Sequence, residues 1–120
     1  MLRAANVAPF PLGAAFSSLA YAASVTLAPY SLNRIIGTGD ITLHCAAGSA
    51  ALDGALIGVW FTASGANRNI TLDAAIVIPT TSTFTSPATV ASTHKAVMVF
   101  QYDAVQNGGQ WELHQFINGY

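Results

Sequence analysis

Residues 97–118 decide the fold class: Val97-Met98-Val99-Phe100-Gln101-Tyr102-Asp103, then Ala104-Val105-Gln106-Asn107-Gly108-Gly109, then Gln110-Trp111-Glu112-Leu113-His114-Gln115-Phe116-Ile117-Asn118. In the first run Val97, Val99 and Gln101 alternate with Met98, Phe100 and Tyr102, the period of a β-strand. Both faces are largely apolar, so the strand is central or lies against a second surface. Asn107-Gly108-Gly109 supplies the positive-φ residues that a hairpin turn demands. The last run alternates Trp111, Leu113, Gln115 and Ile117 with Glu112, His114, Phe116 and Asn118, predicting a returning strand over Gln110–Asn118.

Working back from this hairpin, short segments rich in Val, Ile, Thr and aromatics are separated by Gly, Pro, Asn, Asp and Ser at intervals of roughly eight to twelve residues. They predict strands over Ser24–Ala28, Asn33–Gly37, Asp40–Cys45, Leu56–Ala63, Asn69–Leu72, Ala75–Ile78 and Ala96–Asp103. In the Asp40–Cys45 segment Ile41, Leu43 and Cys45 should face the core and Thr42 and His44 the other side. Pro79–Thr93 reads as a long surface connection carrying one irregular edge strand. The expected architecture is all-β: an antiparallel β-sandwich or jelly-roll-like barrel of about eight short strands over residues 24–120.

Residues 1–23 are expected to form an extended N-terminal apolar arm. Pro9 and Pro11 favour extended backbone, and Leu2, Val7, Phe10, Leu12, Phe16 and Tyr21 offer apolar side chains to a neighbouring surface. An alanine-rich helix over Ala14–Ala22 is the alternative. Arg3 and Ala20-Tyr21-Ala22 also resemble a secretory signal and its cleavage sequence, but Asn6, Pro9 and Pro11 interrupt the apolar run such a signal needs.

The chain has 120 residues, 52% hydrophobic and 8% charged, with a formal net charge of -1. One compact domain fits this length. Nucleic-acid binding needs a basic stripe, whereas Arg3, Arg34, Arg68 and Lys95 are scattered. Disorder needs low hydrophobicity and high net charge. A membrane reading finds neither a long apolar run nor a basic amphipathic helix. A folded monomer of this size exposes on the order of 6,100 Å², roughly one charge per 700 Å². So sparse a charge implies a surface largely covered in the working state.

The polar side chains suggest no chemistry of their own. Cys45, the single cysteine, reads as a small buried apolar residue. His44, His94 and His114 stand in no ligand or triad spacing, and neither metal nor cofactor is expected. Asp40, Asp53, Asp73 and Asp103 fall at turns or strand ends, where carboxylates accept backbone hydrogen bonds, so the chain is not expected to be an enzyme. Gly37-Thr38-Gly39 lacks the following Lys-Ser or Lys-Thr and the helix of a phosphate loop, and reads as a turn. Asn69-Ile70-Thr71 is a glycosylation sequon only in a secretory context. Trp60, Tyr102, Trp111 and Tyr120 could stack on a sugar; as strand residues Trp60, Phe100, Tyr102, Trp111 and Phe116 are expected core or interface aromatics.

Val25–Leu27, Ile41-Thr42-Leu43, Asn69-Ile70-Thr71-Leu72 with the following Ile76-Val77-Ile78-Pro79, and Val97–Asp103 joined through Gly-Gly to Trp111-Glu112-Leu113 resemble the small β-domains of tailed-bacteriophage virion proteins. Such domains occur in head decoration or cement proteins, head fibres and tail fibres. The resemblance covers Ser24–Tyr120 and implies a structural role in the virion. Fibre versions are usually modules of longer chains without an apolar arm, so a standalone protein on the capsid surface is expected, a homotrimer bound to the major capsid protein. Leu2, Val7, Phe10, Leu12, Phe16 and Tyr21 would then be the capsid or subunit contacts. The alternatives are a carbohydrate- or receptor-binding fibre module and a head-to-tail or tail component.

Overall fold

The alternating segments form strands whose successive side chains turn to opposite faces of a sheet. The computed structural model describes residues 15–119. In chain order the strands are β1 Ser17–Ser18, β2 Ser24–Leu27, β3 Leu32–Gly37, β4 Ile41–Cys45, β5 Leu56–Ala63, β6 Arg68–Leu72, β7 Ala88–Val90, β8 Lys95–Asp103 and β9 Gln110–Asn118. Short 3-10 turns cover Ala50–Leu52 and Gln106–Gly108. At the second, Asn107, Gly108 and Gly109 all have positive φ (51°, 76° and 112°), as the hairpin requires.

Two sheets result, one of five strands in the order β1-β3-β5-β8-β9 and one of four in the order β2-β4-β6-β7. Both are mixed, which corrects the antiparallel expectation. β1–β3, β3–β5, β2–β4 and β4–β6 pair in parallel; β5–β8, β6–β7 and β8–β9 pair antiparallel. From β1 to β6 the chain changes sheet at every connection. Parallel neighbours need a long return path, commonly a helix. Here the strand of the opposite sheet is that path, so the chain winds in two-strand coils before the antiparallel β8–β9 hairpin closes the larger sheet. Period-two alternation is the same in either pairing, so the strand pattern carried no sign of this.

Side chains from both sheets fill one core. Val25 and Leu27 of β2, Ile35 of β3, Ile41 and Leu43 of β4, and Ile57, Val59 and Phe61 of β5 belong to it, with Ile70, Val90, Met98, Phe100, Trp111 and Leu113. Burying each large side chain contributes about 1.5–3 kcal/mol. Asn33, the buried polar residue of β3, is satisfied: its Nδ2 donates to Ser31 Oγ at 2.8 Å and to the Gly58 carbonyl at 3.1 Å.

Two local expectations change. Ala75–Ile78 is not a strand; only Val77 makes a bridge, to Glu112. Asp73 Oδ1 accepts the Ala75 amide at 2.9 Å, a turn that ends extended pairing just beyond β6. In β9 the strict alternation breaks, because Val99 pairs with Gln115 while Phe100 pairs with Leu113. His114 is therefore an extra residue, a β-bulge, and it switches the phase of the strand. Phe116, expected opposite Trp111, instead packs against the same core as Trp111.

Candidate functional site

The outer face of the five-stranded sheet carries the large side chains that the core does not use. Register places Ser18, Arg34, Trp60, Val97 and Ile117 in one row across β1, β3, β5, β8 and β9. Leu32, Gly58 and Val99 form the next row. Phe16, just ahead of β1, meets the Trp60 ring edge-on at a centroid distance of 4.7 Å, and the Arg34 guanidinium lies 4.4 Å from the Phe16 centroid. Val97 is only 5% exposed although it lies outside the core. On its own face it is flanked by Trp60 and Ile117, so it is already part of a small apolar layer. Phe16, Ile36 and Ile117 remain 37%, 52% and 39% exposed.

Charge divides this face. Lys95 pairs with Thr62 at the end of the sheet where Ile36 lies, and Arg34 stands within the Trp60 row. Glu112 and Asp103 lie on the same face toward the opposite end, paired with Gln101 and Gln110. The cationic side chains share one end of the strands with the apolar ones, and the anionic side chains lie toward the other end.

The aromatic residues expected at a site are divided between the two sides of the sheet. Trp60 is on the outer face, while Phe100, Tyr102 and Trp111 are buried and Phe116 is half-buried. Tyr102 and Trp111 pack together at 5.1 Å, Trp111 Nε1 donates to the Ala46 carbonyl at 2.8 Å, and Phe116 meets Phe84 edge-on at 4.9 Å. Trp60, Tyr102 and Trp111 therefore share no common platform; Tyr120 lies outside the described residues. Of the arm residues, Leu2, Val7, Phe10 and Leu12 also lie outside them. Residues 15–23 pack on their own chain: β1 pairs with β3, Leu19 and Tyr21 lean on the core, and Tyr21 Oη donates to the Asp40 carbonyl at 2.7 Å.

The outer face of the four-stranded sheet is polar, with Ser24, Thr26, Thr42, His44, Asn69, Thr71 and Thr89. Here the fold assembles what the spacing did not show. His44 Nδ1 is 2.7 Å from Asp73 Oδ2, and His44 Nε2 is 2.9 Å from Ser24 Oγ. These residues stand 20 and 29 positions apart. No local motif joins them, because their meeting depends on which strands pair. All four aspartates accept backbone amides, Asp40 from Asn69, Asp53 from Ala104, Asp73 from Ala75 and Asp103 from Val105 and Gln106.

These contacts set the titration of the site. The Ala75 amide, then the His44 hydrogen bond, hold Asp73 below the usual carboxylate range. The Gln106 and Val105 amides do the same for Asp103. Burial, followed by the Asp73 charge, pushes the Cys45 thiol up to about 12, so it is a poor nucleophile. Among the described residues, no three His, Cys, Asp or Glu side chains are grouped to hold a metal ion. No protein-family model, curated protein or solved structure gives a significant match to the chain.

Proposed function

We propose that this chain is a structural protein that works by association, a capsid decoration or cement protein whose copies join through the outer face of the five-stranded sheet. The observation that carries this reading is the apolar layer of Phe16, Ile36, Trp60, Val97 and Ile117 outside the core. Exposed apolar clusters of this kind favour contact with another protein surface. The sparse charge of the whole chain points the same way. We read the two sheets, which share one core, as the halves of a sandwich with this layer on its outside.

The partner at this face is a second copy. Turned through a two-fold axis that crosses the strands at the Leu32–Gly58–Val99 row, the Lys95 end of one copy meets the Asp103 end of the other, and the Trp60 row of each lies over the Gln101–Glu112 row of its partner. The phage resemblance supplies the setting, the surface of a tailed-bacteriophage head. The homotrimer it implies would need a further contact, a role that the resemblance gives to the arm residues Leu2, Val7, Phe10 and Leu12.

Sedimentation of the full chain tests the reading. Oligomers that dissociate in the double variant Trp60→Ser, Ile36→Lys are expected, with a two-fold pair or a trimer both supporting association. A wild-type monomer at high micromolar concentration would overturn it. Co-sedimentation with phage heads tests the setting separately; self-associated protein that never binds heads would remove the capsid assignment.

A further inference from the structure

We propose that Ser24, His44 and Asp73 form a nucleophilic relay, in which Ser24 Oγ accepts the acyl group of small activated carboxylic esters. This activity lies on the four-stranded sheet and is independent of association through the five-stranded one.

With the imidazole neutral, hydrogen-bond chemistry fixes the direction of the relay. An ionised carboxylate only accepts, so the ring nitrogen 2.7 Å from Asp73 Oδ2, His44 Nδ1, carries the proton. The other nitrogen of the neutral ring, Nε2, then offers a lone pair. Ser24 Oγ, 2.9 Å away, is the donor to it. The chain runs Ser24 Oγ–H to Nε2, and Nδ1–H to carboxylate, the order in which a serine is activated by a histidine held in one tautomer. Asp73 is itself anchored, since its other oxygen takes the Ala75 amide at 2.9 Å. It is a positioning residue, because it acts through His44.

The scaffold makes the geometry stable and accessible. β2 and β4 pair in parallel with Thr26 opposite His44 and Ser24 opposite Thr42, which makes Ser24 and His44 diagonal neighbours on one face. β2 is an edge strand and Ser24 is exposed. Thr42 and Ala46 donate to the carbonyls of Ala23 and Leu27, so the alternate residues Ser24 and Thr26 turn their amides toward the open edge. The Ser24 amide is thereby available to an oxyanion formed beside its own Oγ. The exposed position of Ser24 on an edge strand fits small unhindered esters.

The chemistry balances without a cofactor. As Ser24 Oγ bonds to the ester carbonyl carbon, its proton passes to His44 Nε2. The bond to the leaving oxygen breaks and that oxygen takes the proton from Nε2, releasing the alcohol. Water then attacks the acyl-serine, giving a proton to Nε2, which returns it to Ser24 Oγ as the carboxylic acid departs. The groups facing His44 are Ser24 of β2 and Asp73 beyond β6. Cys45, next on its own strand, is a neutral thiol; Asp40 and Arg68 lie at the other end of the sheet.

The test treats the full chain with a fluorophosphonate probe and follows p-nitrophenyl acetate hydrolysis, with the adduct located by mass spectrometry. Labelling at Ser24 is expected, absent in Ser24→Ala and slowed about 100-fold or more in His44→Gln. Asp73→Asn should lower the labelling rate and Asp73→Glu should restore part of it, since the rate depends on a carboxylate that holds the His44 ring. Labelling of Ser24 no faster than of exposed Ser17 or Ser86 would overturn the proposal. So would wild-type p-nitrophenyl acetate hydrolysis no faster than that by an equal concentration of free imidazole, a readout that needs no variant to fold. A purely structural hydrogen-bond tie between the strands would give those last two results.

Discussion

The indole of Trp60 occupies the space above Gly58, two residues earlier on β5: a Cβ built on Gly58 would stand 2.8 Å from Trp60 Cζ3 and 3.0 Å from Leu32 Cδ2. The missing side chain lets the largest residue of the outer face settle against the sheet. Gly58 is buried beneath it for that reason.

Gly58→Ala should therefore lift the indole and displace Leu32, costing about 1 kcal/mol of stability. Because the lifted ring roughens the association face, self-association should weaken by more than the loss of stability alone would cause. Urea denaturation and sedimentation of the same variant check the two effects. Unchanged association would show that the Trp60 face is not the contact.

Trp111 combines packing with a polar anchor. Trp111→Phe keeps the ring beside Tyr102 but leaves the Ala46 carbonyl without its donor, an expected loss of about 1–3 kcal/mol. Trp111→Ala also opens a cavity and should cost about 3–5 kcal/mol. Chemical denaturation of both variants should reproduce that order.

Cys45 predicts an alkaline limb. Its thiol pKa rises from 9.0 to about 12 on folding. Below pH 9 both states hold a neutral thiol and the contribution is intact; from pH 9 to about 12 only the unfolded chain ionises, and stability falls. Cys45→Val should flatten that limb in thermal melts. Alkylation of the folded protein should stay slow at pH 8 and accelerate toward pH 12.

Asp73 predicts the opposite limb. Its folded pKa is lowered from 3.8, so its contribution is complete above that value and is lost as pH falls through the lower native one. Asp103 is lowered too and adds in the same direction. Asp73→Asn should thus make acid unfolding shallower without removing it, which melts between neutral pH and pH 2 would measure.

Much of the strand layout was legible because its signals are local. Leu56–Ala63 and Gln110–Asn118 are strands over the ranges their alternation implied, and the edge strand expected within Pro79–Thr93 is β7. The bulge at His114 was not legible: nothing near it marks an extra residue, and only the pairing of Val99 with Gln115 reveals it. The Ser24–His44–Asp73 contact was hidden for the same reason. The second apolar face of β8 was visible, since Val97 and Val99 alternate with core residues; what covers it was not.

By itself, then, the chain's order of residues determined where strands begin and turn, since alternation, glycine and proline act on the backbone within a few residues. Only the tertiary structure decided that β1 to β6 pair in parallel across alternating sheets. It alone placed Trp60 outside the core and aligned a serine, a histidine and an aspartate. A strand's hydrogen-bond partner lies far along the chain, and the same alternating pattern satisfies a parallel neighbour as well as an antiparallel one.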